Sequence, residues 1–251
     1  MSIIPPGLTH SLQFYLSGPM PCPYLPAQVE RKLFTRLDQG NAATNAEINA
    51  ALCRVGFRRS HDVVYRPACS ACSACIPVRI PVQIFAPSRS LRKVAAHNHD
   101  LHWERVASAP DDELFALFIA YQNSRHGDSD MARMTRDDFA AMLSEGQADT
   151  HLYQLRDKDG LLKGCVIADH VGDGLSAVYS FFAPDEARRS LGTFLILSLI
   201  EEAQRQRWPF VYLGYWVAQS RKMSYKSRFK PLQFLGPNGW GWLDEKQGEK
   251  E

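Results

Sequence analysis

The sequence predicts an α+β protein on three observations: a pair of helices, then an antiparallel meander, then a closing helix and strand. One helical stretch opens at Asp111 and Asp112 and carries its apolar face through Tyr121, and a shorter one lies at 136–143. The meander comes from strand-like runs at 151–156, 162–169 and 175–182, and the closing pair is 191–206 and 210–216. Composition allows this, with 45% hydrophobic and 22% charged residues in 251, enough for one large core or two modest ones.

In chain order, a strand is expected at 12–16, followed by the proline-rich loop SGPMPCPYLP. Thr44 and Glu47 fit a capping box ahead of Ile48, Ala51, Leu52 and Val55, so a helix should run to about Arg54, before Gly56. Short strands are expected at 63–65, 78–84 and 101–106, around a cysteine loop. Asp111 and Asp112 open the next helix, whose broad apolar face holds Leu114, Phe115, Leu117, Phe118 and Tyr121. A turn at 157–160 separates the first two meander strands, 232–235 is a candidate last strand, and the polar tail DEKQGEKE should fray. A boundary near 108–110, where the charge balance changes sign, gives an N-terminal cysteine-loop domain at 1–107 and a second domain at 108–251.

The formal charge of +2 hides a segregation. Residues 1–107 hold twelve Lys/Arg against six Asp/Glu, 108–187 six against fifteen, and 188–230 nine against two. The first and third blocks could form one basic face with nucleic acid as its natural partner; the alternative is ordinary solvated charge. No apolar run approaches the roughly 20 residues that cross a bilayer, and the opening residues lack the pattern of a signal peptide. A cytoplasmic, reducing location is therefore expected, with thiols or ligands instead of disulfides.

Four constellations carry candidate chemistry. In YRPACSACSACIPVRIP, Cys69, Cys72 and Cys75 recur every third residue, a spacing for metal thiolates that is one ligand short of a tetrahedron. Cys22 could complete a zinc or iron–sulfur site; the alternative is four thiols packing a loop. A basic run with interleaved rings includes Arg54, Arg58, Arg59, Arg66, Arg79, Arg89, Arg92 and Lys93. In YSFFAPDEARRSLGTFLILSLIEEA, Asp185, Arg188, Arg189, Ser190 and Gly192 lie between a strand and a long apolar helix. Backbone N–H groups at such a helix end can hold a phosphate or an acyl carbonyl, although Ser190 could also be a plain N-cap. In FVYLGYWVAQSRKMSYKSRFKP, a buried strand breaks at Gly214 into polar-tipped aromatics, then Lys222, Tyr225, Lys226 and Arg228 at near-helical spacing.

Read together, these segments, with PCPYLP and YQNSRHGDSDM, resemble the bacterial aspartate/glutamate leucyltransferases, relatives of the eukaryotic arginyl-tRNA–protein transferases. The resemblance runs from about residue 21 to 231. It implies an acyl-N-acyltransferase-like (GNAT-like) second domain and transfer of leucine from leucyl-tRNA to proteins with N-terminal Asp or Glu, an N-degron (N-end rule) activity. Tyr24 and Leu25 stand where the eukaryotic relatives carry a second loop cysteine, which leaves their metal pattern incomplete here.

The donor is an activated ester, so no cofactor is required for the chemistry. The site must align amine and ester, stabilise an oxyanion and protonate the leaving hydroxyl. The expected roles are carbonyl binding by the backbone at Ser190 and Gly192, orientation or deprotonation of the amine by Asp185, and leaving-group assistance by Lys222 or Tyr225. Arg66, Arg79, Arg125 and His126 are the candidates for the acidic acceptor residue. Arg89, Arg92, Lys93, Arg188, Arg189, Lys226 and Arg228 are the candidates for tRNA. Arg79 and Lys222 are expected to face one crevice. The rivals are arginyl transfer by the same chemistry, a coenzyme-dependent acetyltransferase, and a metal-bearing RNA-binding module without catalysis.

Overall fold

The computed structural model describes residues 2–3, 12–38, 41–144 and 148–242. The tail from 244 onward lies outside them. The first strands are short: β1 (Ser2–Ile3), β2 (Leu12–Gln13), β3 (Tyr15–Leu16), β4 (Met20–Pro21), β5 (Val29–Glu30) and β6 (Lys32–Arg36). The strand expected at 12–16 is thus two pieces that pair with different partners, β2 with β1 and β3 with β6.

Helix α1 (Ala42–Arg54) ends where the sequence indicates, but its cap is Asn41, whose side chain accepts from the Thr44 N–H; the Thr44–Glu47 box does not form. Strands β7 (Arg58–Ser60) and β8 (Val63–Pro67) complete a four-stranded sheet ordered β3-β6-β8-β7. Packed with α1, this sheet buries Leu12, Phe14, Ile48, Leu52, Phe57 and Val64 in a small core.

The larger sheet takes strands from both sides of the boundary expected at 107/108. Before it come β9 (Ile76–Pro81) and β10 (His102–Val106), and between them α2 (Arg89–His97), capped by Ser88. After it come α3 (Asp112–His126), capped by Asp111, and α4 (Arg136–Ser144), as the sequence indicates. Then follow β11 (Thr150–Arg156), β12 (Leu162–His170), β13 (Gly174–Phe182), α5 (Leu191–Arg205), β14 (Phe210–Trp216), β15 (Gln233–Gly236) and β16 (Gly239–Trp242). The order in the sheet is β10-β11-β12-β13-β14-β9-β15-β16, antiparallel except that β13 and β14 run parallel, as a helical crossover through α5 requires.

Both faces of this sheet are covered, which explains why its strands read as nearly continuous apolar runs. One face packs Tyr153, Val166 and Leu213 against α5 and Leu91 of α2. The other packs Leu152, Ile167 and Phe181 against Leu114, Phe118, Phe139 and Met142 of α3 and α4. Burial of roughly 1.5–3 kcal/mol per large side chain on each face makes this the main stabilising layer. Among the described residues, no helix is long and apolar enough to cross a membrane.

Candidate active site

The site begins where the sheet opens. β13 and β14 pair only at Gly174 with Phe210, Leu175 with Val211 and Ser176 with Tyr212; beyond these each strand continues without the other. Gly174 permits the tight end of the pair, since a Cβ there would lie 2.0 Å from the Phe210 carbonyl oxygen. At the open end, carbonyls of β13 lose their ladder partners and need replacements.

Arg58 of β7 supplies them. Its Nη2 donates to the carbonyls of Ala177 at 2.5 Å and Val178 at 3.3 Å, and Nη1 to the Ser176 hydroxyl at 3.4 Å. Gly214 makes room on the β14 side: its φ is +71°, and a Cβ would fall 2.5 Å from Arg58 Nε. Tyr215 ties the same region to the small lobe, its hydroxyl near the carbonyls of Gly56 (2.9 Å) and Tyr65 (3.2 Å).

Above this opening lies a hollow of about 860 Å³. The small lobe contributes Tyr24, Arg58, Arg59, Ser60, His61 and Tyr65 to its wall; α3 contributes Tyr121 and Arg125. The N-terminal turn of α5 contributes Ser190, Leu191, Gly192 and Thr193, and the segment after β14 contributes Arg221, Lys222, Met223, Tyr225 and Lys226. Glu186 is the one carboxylate among the described lining residues, and it is already paired with Lys163 at 2.7 Å and Arg189 at 2.6 Å. The hollow is therefore strongly cationic.

Among the described residues, the first N–H groups of α5 have no hydrogen-bond acceptor. Ser190 has φ +54° and its side chain makes no capping bond, so the plain N-cap reading fails. Nothing within the helix accepts from the N–H groups of Leu191 and Gly192, because the first turn of a helix has no preceding carbonyls. A side chain at 192 would collide with Phe182, since a Cβ there would lie 2.7 Å from the ring, so glycine lets helix and strand end meet. Tyr225 exposes 38% of its surface, while burial around its phenol, with Tyr121 adding, raises its pKa.

The structure gathers five of the expected residues, Ser190, Gly192, Lys222, Tyr225 and Arg125, around one hollow, with Arg125 5.6 Å from the Phe182 ring. It adds Lys226, expected on a tRNA-facing surface but only 6% exposed and lining the hollow. Asp185 is exposed and does not line it; its neighbour Glu186 does. Arg66 is exposed over the Phe57 ring. Arg79 lies 3.6 Å from the Phe210 ring and 4.3 Å from that of Trp240, donating to Gln233 and Tyr212, outside the lining. Arg79 and Lys222 therefore share no crevice: alternation along β9 places Val78 and Ile80 in the core beneath α5 and leaves Arg79 with the rings of β14 and β16. The basic blocks still meet, through Arg58 and Lys222. The side chain of His126 lies outside the described residues.

Arg89, Arg92 and Lys93 are exposed on α2, as are Arg188 and Arg228. Arg189 instead clamps Asp100 through two bonds of 2.8 and 2.9 Å, holding that carboxyl down to about 2 and fixing the turn before α5 to the end of α2. Sequence reasoning assigns no separate role to Arg58, Arg221, Tyr24 or Tyr215. Gly214, inside a buried strand, is the available signal that something approaches the backbone closely there.

The cysteines behave otherwise. Cys22, Cys69, Cys72 and Cys75 are half-buried, and burial, with the other three thiols and Glu30 adding, pushes Cys75 up to about 12. They are near enough to feel one another. Yet among the described residues no three His, Cys, Asp or Glu side chains are placed to hold one ion, so as arranged they do not fit a zinc ion or a cluster.

A cationic hollow at a sheet opening, beside a helix N-terminus and aromatic hydroxyls, is an arrangement suited to holding an anionic group and an acyl carbonyl. Family models described as "Arginine-tRNA-protein transferase, N terminus" and "C terminus" match residues 20–93 and 113–236. An "Aspartate/glutamate leucyltransferase" of Paramagnetospirillum magneticum is 49% identical over 227 residues, 90% of this chain and 92% of that protein. One from Maricaulis maris is 48% identical, over 94% of this chain and 91% of the relative. Among solved structures, L-PGS from Bacillus licheniformis aligns with 57% of this chain and 45% of its own, at 10% identity and a TM-score of 0.45. The chain belongs to the arginine-tRNA-protein transferase family.

Proposed function

We propose that this protein transfers leucine from leucyl-tRNA to the α-amine of proteins beginning with Asp or Glu, marking them for N-degron degradation in the cytoplasm. The observation that carries this is the excess of cations in the hollow, which suits an acidic first residue beside the phosphates of a tRNA 3′ end. About 860 Å³ is room enough for an aminoacyl adenosine and one or two peptide residues. The leucyltransferase relatives, matched over most of their length, support leucine as donor; the family models' arginine naming supports arginine as the second reading.

In this reading the ester carbonyl lies over the first turn of α5, where the N–H groups of Leu191 and Gly192 and the positive helix end stabilise the oxyanion. The amine adds to the carbonyl carbon, the C–O bond breaks, and the ribose oxygen leaves as a hydroxyl assisted by Tyr225 or Lys222. Arg125 binds the acidic side chain of the acceptor. Arg89, Arg92, Lys93, Arg188 and Arg228 hold the tRNA backbone along the outer surface. As a division of labour, residues 1–107 contribute Arg58 and the α2 cations, and 108–251 the acyl-transfer machinery. No step runs through the cysteines.

Incubation with labelled leucyl-tRNA or arginyl-tRNA and peptides starting Asp, Glu or Ala tests the proposal. Leucyl product on Asp and Glu peptides but not on Ala is expected. Arginyl product alone would establish the second reading, and transfer to Ala peptides would refute acidic selection.

A further inference from the structure

Lys226 is the least ordinary residue of the hollow. It lies in the single 3₁₀ turn after β14, only 6% exposed, with Nζ 2.6 Å from the Tyr215 carbonyl and 3.6 Å from Met223 Sδ. That carbonyl is short of backbone partners: β13 has diverged, and the register partner on β9 is Pro77, which has no N–H. A buried lysine with one oxygen acceptor, a thioether beside it and a wall position on a reaction-sized hollow is a costly way to satisfy one carbonyl.

The groups around it explain its state. Arg58 from β7 is a permanent cation, and among the described residues no carboxylate pairs with it. Tyr225 lies beside Lys226, its ring centroid 6.0 Å from Nζ, and Cys75 of the cysteine loop acts on it through charge when ionised. Burial first and Arg58 second favour the neutral amine, while Cys75 opposes them, and together they bring the pKa down to about 7. Burial and Arg58 thus favour the amine form, whose lone pair Nζ can offer as a base.

Resting on the proposed aminoacyl transfer, we propose that Lys226 is a catalytic residue, the general base that takes the proton from the acceptor α-amine and passes it to the departing ribose oxygen. The balance closes within the site. The N–C bond forms, the ester C–O bond breaks with its electron pair going to oxygen, one proton travels from nitrogen through Nζ to that oxygen, and lysine ends as it began. The acceptor amine, with a pKa of about 7.7, can enter as the neutral form at neutral pH, and the proton it sheds on forming the N–C bond is the one Nζ takes.

The test is single-turnover transfer from pre-charged leucyl-tRNA to an Asp-starting peptide, with melting and leucyl-tRNA binding measured in parallel. Lys226→Met and Lys226→Arg should bind tRNA within about threefold of wild type yet transfer on the order of 100-fold more slowly. Lys226→Ala should regain transfer to the peptide when imidazole is added, in proportion to its unprotonated fraction. A purely structural lysine predicts otherwise: Lys226→Arg, which keeps a donor for Tyr215, would restore the rate, or imidazole would leave Lys226→Ala unchanged. Either result overturns the proposal even if Lys226→Met fails to fold. Wild-type transfer from arginyl-tRNA alone would sink the leucine reading while the same comparison still judged Lys226; no transfer from either tRNA would end both.

Discussion

Arg58 and Arg59 are neighbours on one short strand, and both reach from the small lobe into the large sheet, but they are held in opposite ways. Arg59 meets Asp169 through Nε at 2.6 Å and Nη2 at 2.7 Å, both side chains are 1% exposed, and Asn49 and Thr150 complete the carboxylate's bonds. Arg58 is held by backbone carbonyls and a serine, none of them charged. The first is neutralised and works as a clamp between lobes. The second keeps its field, and that field falls on the hollow. A buried arginine's role is thus read from what cancels its charge.

The comparison is broken most severely at the clamp. Asp169→Asn or Arg59→Met alone leaves one buried charge without its counter-ion and should destabilise the protein by about 3–5 kcal/mol in urea unfolding. The double variant Arg59→Met/Asp169→Leu should recover most of that loss. If both single variants unfold at the wild-type midpoint, the ion pair is not what joins the lobes.

Arg58→Met should have a smaller effect on stability, about 1–3 kcal/mol, because it leaves the carbonyls of Ala177 and Val178 unpaired but no charge stranded. Its effect on chemistry has a definite sign. Arg58 lowers the proton affinity of Lys226, so its removal raises that pKa. Lys226 in the folded wild type releases its proton near pH 7, against about 10.4 for an unfolded lysine, so burying the charged form weakens the fold most below pH 7, and stability recovers as pH rises from about 7 to 10. In Arg58→Met the same recovery should begin at higher pH and be smaller. Melting curves across pH 6–10, each read against the matching Lys226→Met variant, check this, and a recovery unchanged by Arg58→Met would separate the two residues.

How much of this is legible in the sequence follows from the kind of interaction involved. Helix α3 can be read from its period and its Asp111 cap, and α5 and the meander from their apolar pattern, because each buries a full apolar face. Helix α2 does not read as a helix: its one fully buried residue is Leu91, and its arginines and lysine look like a charge run. At the site, Ser190, Gly192, Lys222 and Tyr225 flank strand ends in the sequence, where sites are expected in α/β sheets. Lys226 is visible as a basic residue, but its burial depends on β13 and β14 parting and on Pro77 lying opposite Tyr215, which no local pattern contains. Arg79 misleads for the same reason, since its partners Phe210 and Trp240 come from strands far along the chain.

A milder change sharpens the contrast between the hollow and its outer surface. Replacing Arg89, Arg92 and Lys93 together by alanine should weaken leucyl-tRNA binding about tenfold at low salt and flatten its dependence on salt concentration, leaving single-turnover transfer at saturating tRNA unchanged. Loss of the saturated rate would place α2 in the chemistry instead.

The smallest effect is expected where the sequence looks most chemical. Cys75 is the most perturbed thiol of its loop, but burial drives its pKa to about 12, so at neutral pH it is a protonated thiol: a poor nucleophile and, in this arrangement, without two companions placed to share an ion. It reaches the hollow through its charge on Tyr24, Tyr215 and Lys226, and that influence requires a thiolate. Cys75→Ser keeps the size of the side chain while removing both metal affinity and redox chemistry. Transfer should stay within about threefold of wild type, and chelator treatment of the wild-type protein should leave the rate unchanged. A loss of ~100-fold in the serine variant, or inactivation by chelator, would mean that the four thiols close around a metal in the working enzyme, and would move them from the lobe's packing into its function.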